Sequence, residues 1–166
     1  MRSIHSIITT TSLISFHPNK LIFLCFLQQV AGFGISNHTG RARVVADAIA
    51  KAYPEDYETW YYFDTRGFRP EFLDSVKAEI RDSGASVPED HNSSPFCWLE
   101  TTGAASKTEM TALGGRDSLC AWAKANFDAS DSKNADFLSL CEGEPPKTWK
   151  VIVFDNKTLG TARTSL

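Results

Sequence analysis

The segment Ser36-Asn37-His38-Thr39-Gly40 gathers two hydroxyls, an amide and an imidazole within five residues. Ahead of a helix, such a loop offers three kinds of chemistry. His38 could act as general base on Ser36 or as a metal ligand, but nothing in the sequence supplies a carboxylate to orient its ring. The backbone N–H groups and hydroxyls around Thr39-Gly40 could cradle the phosphate of FMN at a helix N-terminus. Arg41 stands where that pattern expects Asn, and no later pair of aromatic loops is evident to hold the isoalloxazine. The third role is structural, with Ser36 or Thr39 as the N-cap. His5, His17 and His91 form no ligand spacing with His38, which reads as a solvated loop residue.

The sulfur chemistry is defined by what is missing. Cys25, Cys97, Cys120 and Cys141 are widely separated, and no Cys-x-x-Cys pair occurs. Both the common zinc spacing and the dithiol exchange spacing are therefore absent. Phe96-Cys97-Trp98 and Leu119-Cys120-Ala121 have the look of buried thiols, which suits a reducing compartment.

The elements that would position these residues follow from composition and periodicity. The 166 residues suffice for one domain, and 42% hydrophobic with 22% charged residues is a globular composition. A net charge of -3, without clusters of Lys and Arg among aromatics, excludes a general pull toward nucleic acid. Residues 1–20 show no period and read as a tail, disordered or non-native. The run Leu21–Leu27 is too short to span a bilayer, which needs roughly 20 apolar residues. We therefore expect no membrane span and a cytoplasmic protein. The alternative is secretory: Arg2 and Lys20 precede the apolar run in the rough shape of a signal sequence over residues 1–32, and Asn37, Asn92 and Asn156 head glycosylation sequons.

The later part of Leu21–Phe33 reads as a buried strand. A helix follows, with Val44, Val45, Ala48, Ile49 and Ala52 inward and Arg41, Arg43, Asp47 and Lys51 outward, ended by Pro54. Thr59–Phe63 is an aromatic strand. Pro70 opens a second helix with Phe72, Leu73, Val76 and Ile80 inward and Gly84 just past its end. Pro95–Leu99 and Met110–Leu113 read as a hairpin, and Gly114-Gly115 precede a third helix carrying Leu119, Trp122, Ala123 and Phe127. Trp60, Trp98 and Trp122 all fall on apolar faces and read as core. A short helical piece over 134–140 and a strand-like Val151–Phe154 complete the pass. We divide the chain into a tail at 1–20, a domain at 21–128 and a C-terminal extension at 129–166.

The order βαβα-ββα, with a polar loop before the first helix and Ser94-Pro95 before the third strand, resembles the thioredoxin fold, an α/β fold with a central mixed sheet, whose corresponding proline is normally cis. More closely, VAGFGISNHTGRARVVADAIAKAYP at 30–54, HNSSPFCWLE at 91–100 and GGRDSLCAWAKANF at 114–127 resemble the N-terminal domain of the malate dehydrogenase 1B family. That family joins a thioredoxin-like domain to a divergent dehydrogenase, and the resemblance spans roughly 30–128. Where the family can carry Cys-Pro-Tyr-Tyr, this chain has Ser36, Asn37, His38 and Thr39, and a serine hydroxyl cannot replace a thiolate in disulfide exchange.

The resemblance implies a ligand groove of Ser36, Asn37, His38, Thr39, Ser94, Pro95, Gly114, Gly115 and Asp117. The last three stand where glutaredoxin-like proteins meet glutathione. On local physics alone the two glycines permit a tight turn and Asp117 suits the first helical turn. Val151–Phe154 could begin a dehydrogenase domain, but no Gly-x-Gly-x-x-Gly follows. The expectation is a redox-inactive accessory module that binds a protein partner or a fused dehydrogenase domain, not an enzyme as it stands and without a resident cofactor or metal. A longer protein would be a malate dehydrogenase-like oxidoreductase. The alternatives are a relic of a glutathione-binding thiol transferase and a flavodoxin-like FMN binder.

Overall fold

The computed structural model describes residues 26–64, 68–102 and 108–150. The expected tail at 1–20, Cys25 and the strand-like Val151–Phe154 lie outside the described residues. The elements run β1 (Phe26–Gly32), α1 (Asn37–Ala52), β2 (Tyr57–Phe63), α2 (Leu73–Asp82), β3 (Phe96–Thr102), β4 (Thr108–Gly114), α3 (Arg116–Asn126) and α4 (Ser132–Ser139). A wide π-helical turn over Phe68–Phe72 feeds α2, so the second helix begins after Pro70 and not at it. A 3-10 turn over Lys147–Trp149 closes the described chain.

The four strands lie in the order β2-β1-β3-β4. β1 pairs parallel with β2 and antiparallel with β3, and β3 pairs antiparallel with β4. A strand followed by a helix returns parallel, whereas the β3–β4 hairpin must reverse, so the element order dictates a mixed sheet. This is the thioredoxin-like α/β arrangement.

Alternate residues of β1 and β3 face two separate cores, as the period of a strand requires. Val30 and Cys97 join Val45, Ile49, Leu119 and Phe137, beneath α1, α3 and α4. Ala31, Phe96 and Trp98 join Phe68, Leu73, Val76 and Ile80, beneath α2. Trp98 is fully buried and donates its indole N–H to Glu100 at 3.0 Å. Trp60 and Trp122 are half-buried and pack against the rims of these cores. The core continues into the stretch after residue 128. Phe137 and Leu138 of α4 are buried, and Tyr53 at the end of α1 donates its hydroxyl to Asn134 at 2.5 Å.

Two helix assignments need correction. Thr39 is not the N-cap: it lies inside α1, fully buried, and the cap position is Ser36, whose hydroxyl makes no capping bond. Arg41 does not face solvent. It is 3% exposed, and its guanidinium donates from Nη1 to the Gly143 carbonyl at 2.6 Å and from Nη2 to the Glu142 carbonyl at 2.8 Å. The physical reason is a strap over residues 141–150 that crosses the first turns of α1 and turns an outward position into a buried one. Asn37 donates to the Pro145 carbonyl at 3.0 Å. At Gly40 the main chain of Trp149 approaches so closely that a Cβ would stand 1.8 Å from its carbonyl oxygen. Among the described residues no helix is long and apolar enough to cross a membrane.

Candidate functional site

The C-terminal end of β1, the start of α1, the turn before β3 and the start of α3 meet at one end of the sheet. There they enclose an open cleft of about 400 Å³. Its lining contains His38, Ser94, Pro95, Gly115 and Asp117 from the sequence-derived groove, and adds His91, Ser93, Arg116 and Ser118. Ser36, Asn37, Thr39 and Gly114 do not line it. Asn37 is turned to the strap, and Thr39 lies beneath the cleft floor.

The floor is a closed hydroxyl network. Ser94 Oγ accepts the main-chain N–H of Phe33 at 2.7 Å and shares a proton with Thr39 Oγ1 at 2.9 Å. Ser94 is joined to Pro95 by a cis peptide. Neither hydroxyl touches a histidine or carboxylate in these contacts, so nothing in them raises a nucleophile. Thr39 stands three residues after Ser36, and a second thiol of a dithiol motif would occupy that place. Its role here is to bind the proline turn.

One wall is built on an ion-paired arginine. Arg116 opens α3, and its side chain is only 17% exposed. Nε bonds Asp117 at 2.9 Å, while Nη1 lies 3.6 Å from Glu144 of the strap and also meets Nδ1 of His38. A guanidinium can only donate, so His38 accepts through Nδ1 and carries its proton on Nε2. His38 is therefore held by an arginine and not by the orienting carboxylate that a general base needs. The opposite wall is His91, whose Nε2–H is shared between the carbonyls of Ser93 at 2.8 Å and Pro95 at 3.0 Å. Sequence reasoning left His91 in a separate loop; the fold brings it to the same cleft as His38.

Gly114 has a φ of +104°, which favours glycine, and this lets the chain reverse from β4 into α3. Gly115 then caps α3 with an extended backbone, and the His91 ring lies against its Cα. Asp117 sits in the first turn, where a carboxylate complements the helix dipole, and is mostly exposed.

Among the described residues no cysteine lines this cleft. Cys97, one residue beyond Phe96 at the start of β3, is 1% exposed, and burial pushes its thiol far up from the usual value. A thiol so shielded does not supply the thiolate that exchange requires. Cys97, Cys120 and Cys141 are all free and buried. Among the described residues no group of three or more His, Cys, Asp and Glu side chains could hold a metal ion. The cleft thus presents Arg116, two imidazoles and the first turn of α3 to solvent. No protein-family model matches the chain, and no curated protein matches it.

Proposed function

We propose that this chain is a redox-silent thioredoxin-like binding module, related to the N-terminal domain of the malate dehydrogenase 1B family, whose cleft receives a segment of a partner protein or of a fused dehydrogenase domain. The observation that carries the reading is the exchange of thiols for hydroxyls at the start of α1. Thr39 is spent on the Ser94 turn, and Cys97, two residues beyond Pro95, is sealed in the core. What remains in the cleft is recognition chemistry: two imidazoles and a partly buried arginine paired with Asp117. A short peptide carboxylate or an acidic side chain suits such a site through a charge-assisted, two-pronged contact.

A second reading rests on Arg116 and Gly115 standing together at the start of α3, where a small anionic thiol peptide such as glutathione could be held without reaction. One experiment separates the two. Proteins co-purifying with the intact chain are quantified beside those on an Arg116→Glu chain, and both chains are melted with and without millimolar reduced glutathione. A partner enriched on the wild type and lost on Arg116→Glu supports the module. A glutathione-dependent rise in Tm, which ligand linkage demands of any binder, lost in Arg116→Glu, moves the assignment to the second reading. Partners recovered equally on both chains would remove the cleft from the account.

A further inference from the structure

Residues 142–145 of the strap, Glu-Gly-Glu-Pro, run along the seam between α1 and α3, and each of the four gives an oxygen to a side chain of one of those helices. Glu142 pairs with Lys124 of α3 at 2.7 Å, and its carbonyl accepts from Arg41 of α1, as does the carbonyl of Gly143. Glu144 faces Arg116 of α3 at 3.6 Å, and the Pro145 carbonyl accepts from Asn37 of α1 at 3.0 Å. Arg116 and Lys124 are eight residues apart and so share one face of α3, with Arg41 answering them from α1. The seam is thus a groove with three cations. Asp117, which pairs with Arg116, is the acid that α3 itself sets against them.

The segment in this groove is held as a ligand would be. The side chains of Glu142 and Glu144 are 68% and 85% exposed, and of the four residues Pro145 is the buried one. The contacts are main-chain carbonyls and two exposed carboxylates, which an extended acidic peptide can offer equally well. Exposed ion pairs are individually weak and are screened by salt, so they can be exchanged. Arg41 is 3% exposed and its Nε has no hydrogen-bond partner among the described residues, so the strap leaves part of this guanidinium unsatisfied.

We propose that the groove between α1 and α3 is a recognition site for an extended acidic peptide of a partner protein, and that residues 142–145 fill it in cis until such a segment displaces them. This rests on the reading of the chain as a binding module and names the chemistry of the segment received: two carboxylates two residues apart, with main-chain carbonyls free to accept. The tethered strap competes at high effective concentration, so a segment in trans meets only the fraction of chains whose strap is open.

The test uses the full chain and a fluorescein-labelled peptide of residues 142–149 carrying Lys147→Ala, which trypsin cannot cut. In an opened chain, Glu142→Lys with Glu144→Lys, the strap is repelled by Lys124 and Arg116 while the groove is unchanged. By fluorescence anisotropy this chain should bind the peptide about tenfold or more tighter than the wild type does, and binding should weaken as salt rises. The same peptide with both glutamates changed to glutamine should bind several-fold more weakly. If the opened chain does not fold, the wild type decides: excess acidic peptide should speed tryptic cutting after Lys147, and the glutamine peptide should not. Equal or no binding by the wild-type and opened chains, or cutting at Lys147 indifferent to the acidic peptide, would show the strap to be a fixed part of the fold and overturn the proposal. The peptide assay needs no partner, so it succeeds or fails separately from the recovery of partners on Arg116→Glu chains.

Discussion

Arg41 offers the sharpest test of how this fold is held, because its side chain makes two of the bonds between α1 and the strap. Its two bonds, at 2.6 and 2.8 Å, are made by a charged donor, a class worth about 1.5–3 kcal/mol each. Glu142 and Gly143 are exposed residues, so their carbonyls regain water when the guanidinium is removed, which roughly halves the loss. The buried guanidinium also carries a cost of its own, since Nε has no hydrogen-bond partner among the described residues. Against this, truncation strips away a packed aliphatic stem, worth about 1 kcal/mol.

Arg41→Ala is therefore expected to lose about 2–3 kcal/mol and Arg41→Met, which keeps the stem, about 1–2 kcal/mol. With an m value of about 1–3 kcal/mol/M in urea, the alanine variant should unfold roughly 1–2 M earlier, read by tryptophan fluorescence on the full chain. Lys51→Ala, exposed on the same helix, is the control and should stay within about 0.5 kcal/mol. A second measurement localises the effect. Trypsin should cut after Lys147 faster in Arg41→Met than in the wild type, because the strap opens below the global unfolding energy. An Arg41→Ala midpoint inside the spread of Lys51→Ala, with unchanged cutting at Lys147, would show that the strap does not depend on this residue.

Other perturbations test other layers. Gln28 lies in the central strand, 1% exposed, and neither end of its amide has a hydrogen-bond partner among the described residues; Gln28→Met should raise stability by about 1–2 kcal/mol in the same urea assay. Glu89, Asp128 and Glu142 are held below the usual carboxylate range by Arg81, by Ser130 and by Lys124 respectively. A depressed folded-state value means that the unfolded chain takes up protons first. The urea midpoint should thus hold above the ordinary carboxylate range near about pH 4 and fall as pH drops below it, and a combined Glu89→Gln, Asp128→Asn, Glu142→Gln chain should show a flatter acid limb. Introducing sulfur tests the redox-silent reading: Ser36→Cys with Thr39→Cys places two thiols three residues apart at a helix N-terminus, where the dipole favours thiolate. That chain should show more reductase activity toward a small disulfide than the wild type. An inert double variant would mean that the cleft lacks more for exchange chemistry than two thiols.

The strands and helices were legible because each carries its own period. The alternation around β3 and the stripe of Val45 and Ile49 in α1 report local geometry, and the glycine pair and the Ser94-Pro95 step mark the turns between them. The inner stripe of α1 proved broader than its sequence suggests. Ala42 and Ala46 are buried, whereas Val44 and Ala48 are only half-buried, because α4 and the strap add surface on a side that looks free from the sequence of α1. Arg41 illustrates the limit best. A charged residue on a helix reads as solvated unless its acceptors are known, and these are main-chain carbonyls, which have no signature in sequence. The same holds for the cleft. His38 and Pro95 announce themselves by type and place, but Arg116 and His91 become site residues only through the approach of α3 and the turn before β3. The one available signal was a cation directly after the glycine pair, at the mouth of the turn that faces the first helix.

The strap has a consequence for the order in which the molecule is completed. Asn37 and Arg41 bond to residues 108, 102 and 101 positions later, and Tyr53 bonds to Asn134 across 81. During synthesis, β1, α1 and β2 emerge first, yet both ends of α1 wait for partners made more than eighty residues later. Such distant closures are the slow part of folding. The helix that brings His38 to the cleft is synthesised well before the strap that holds it in place.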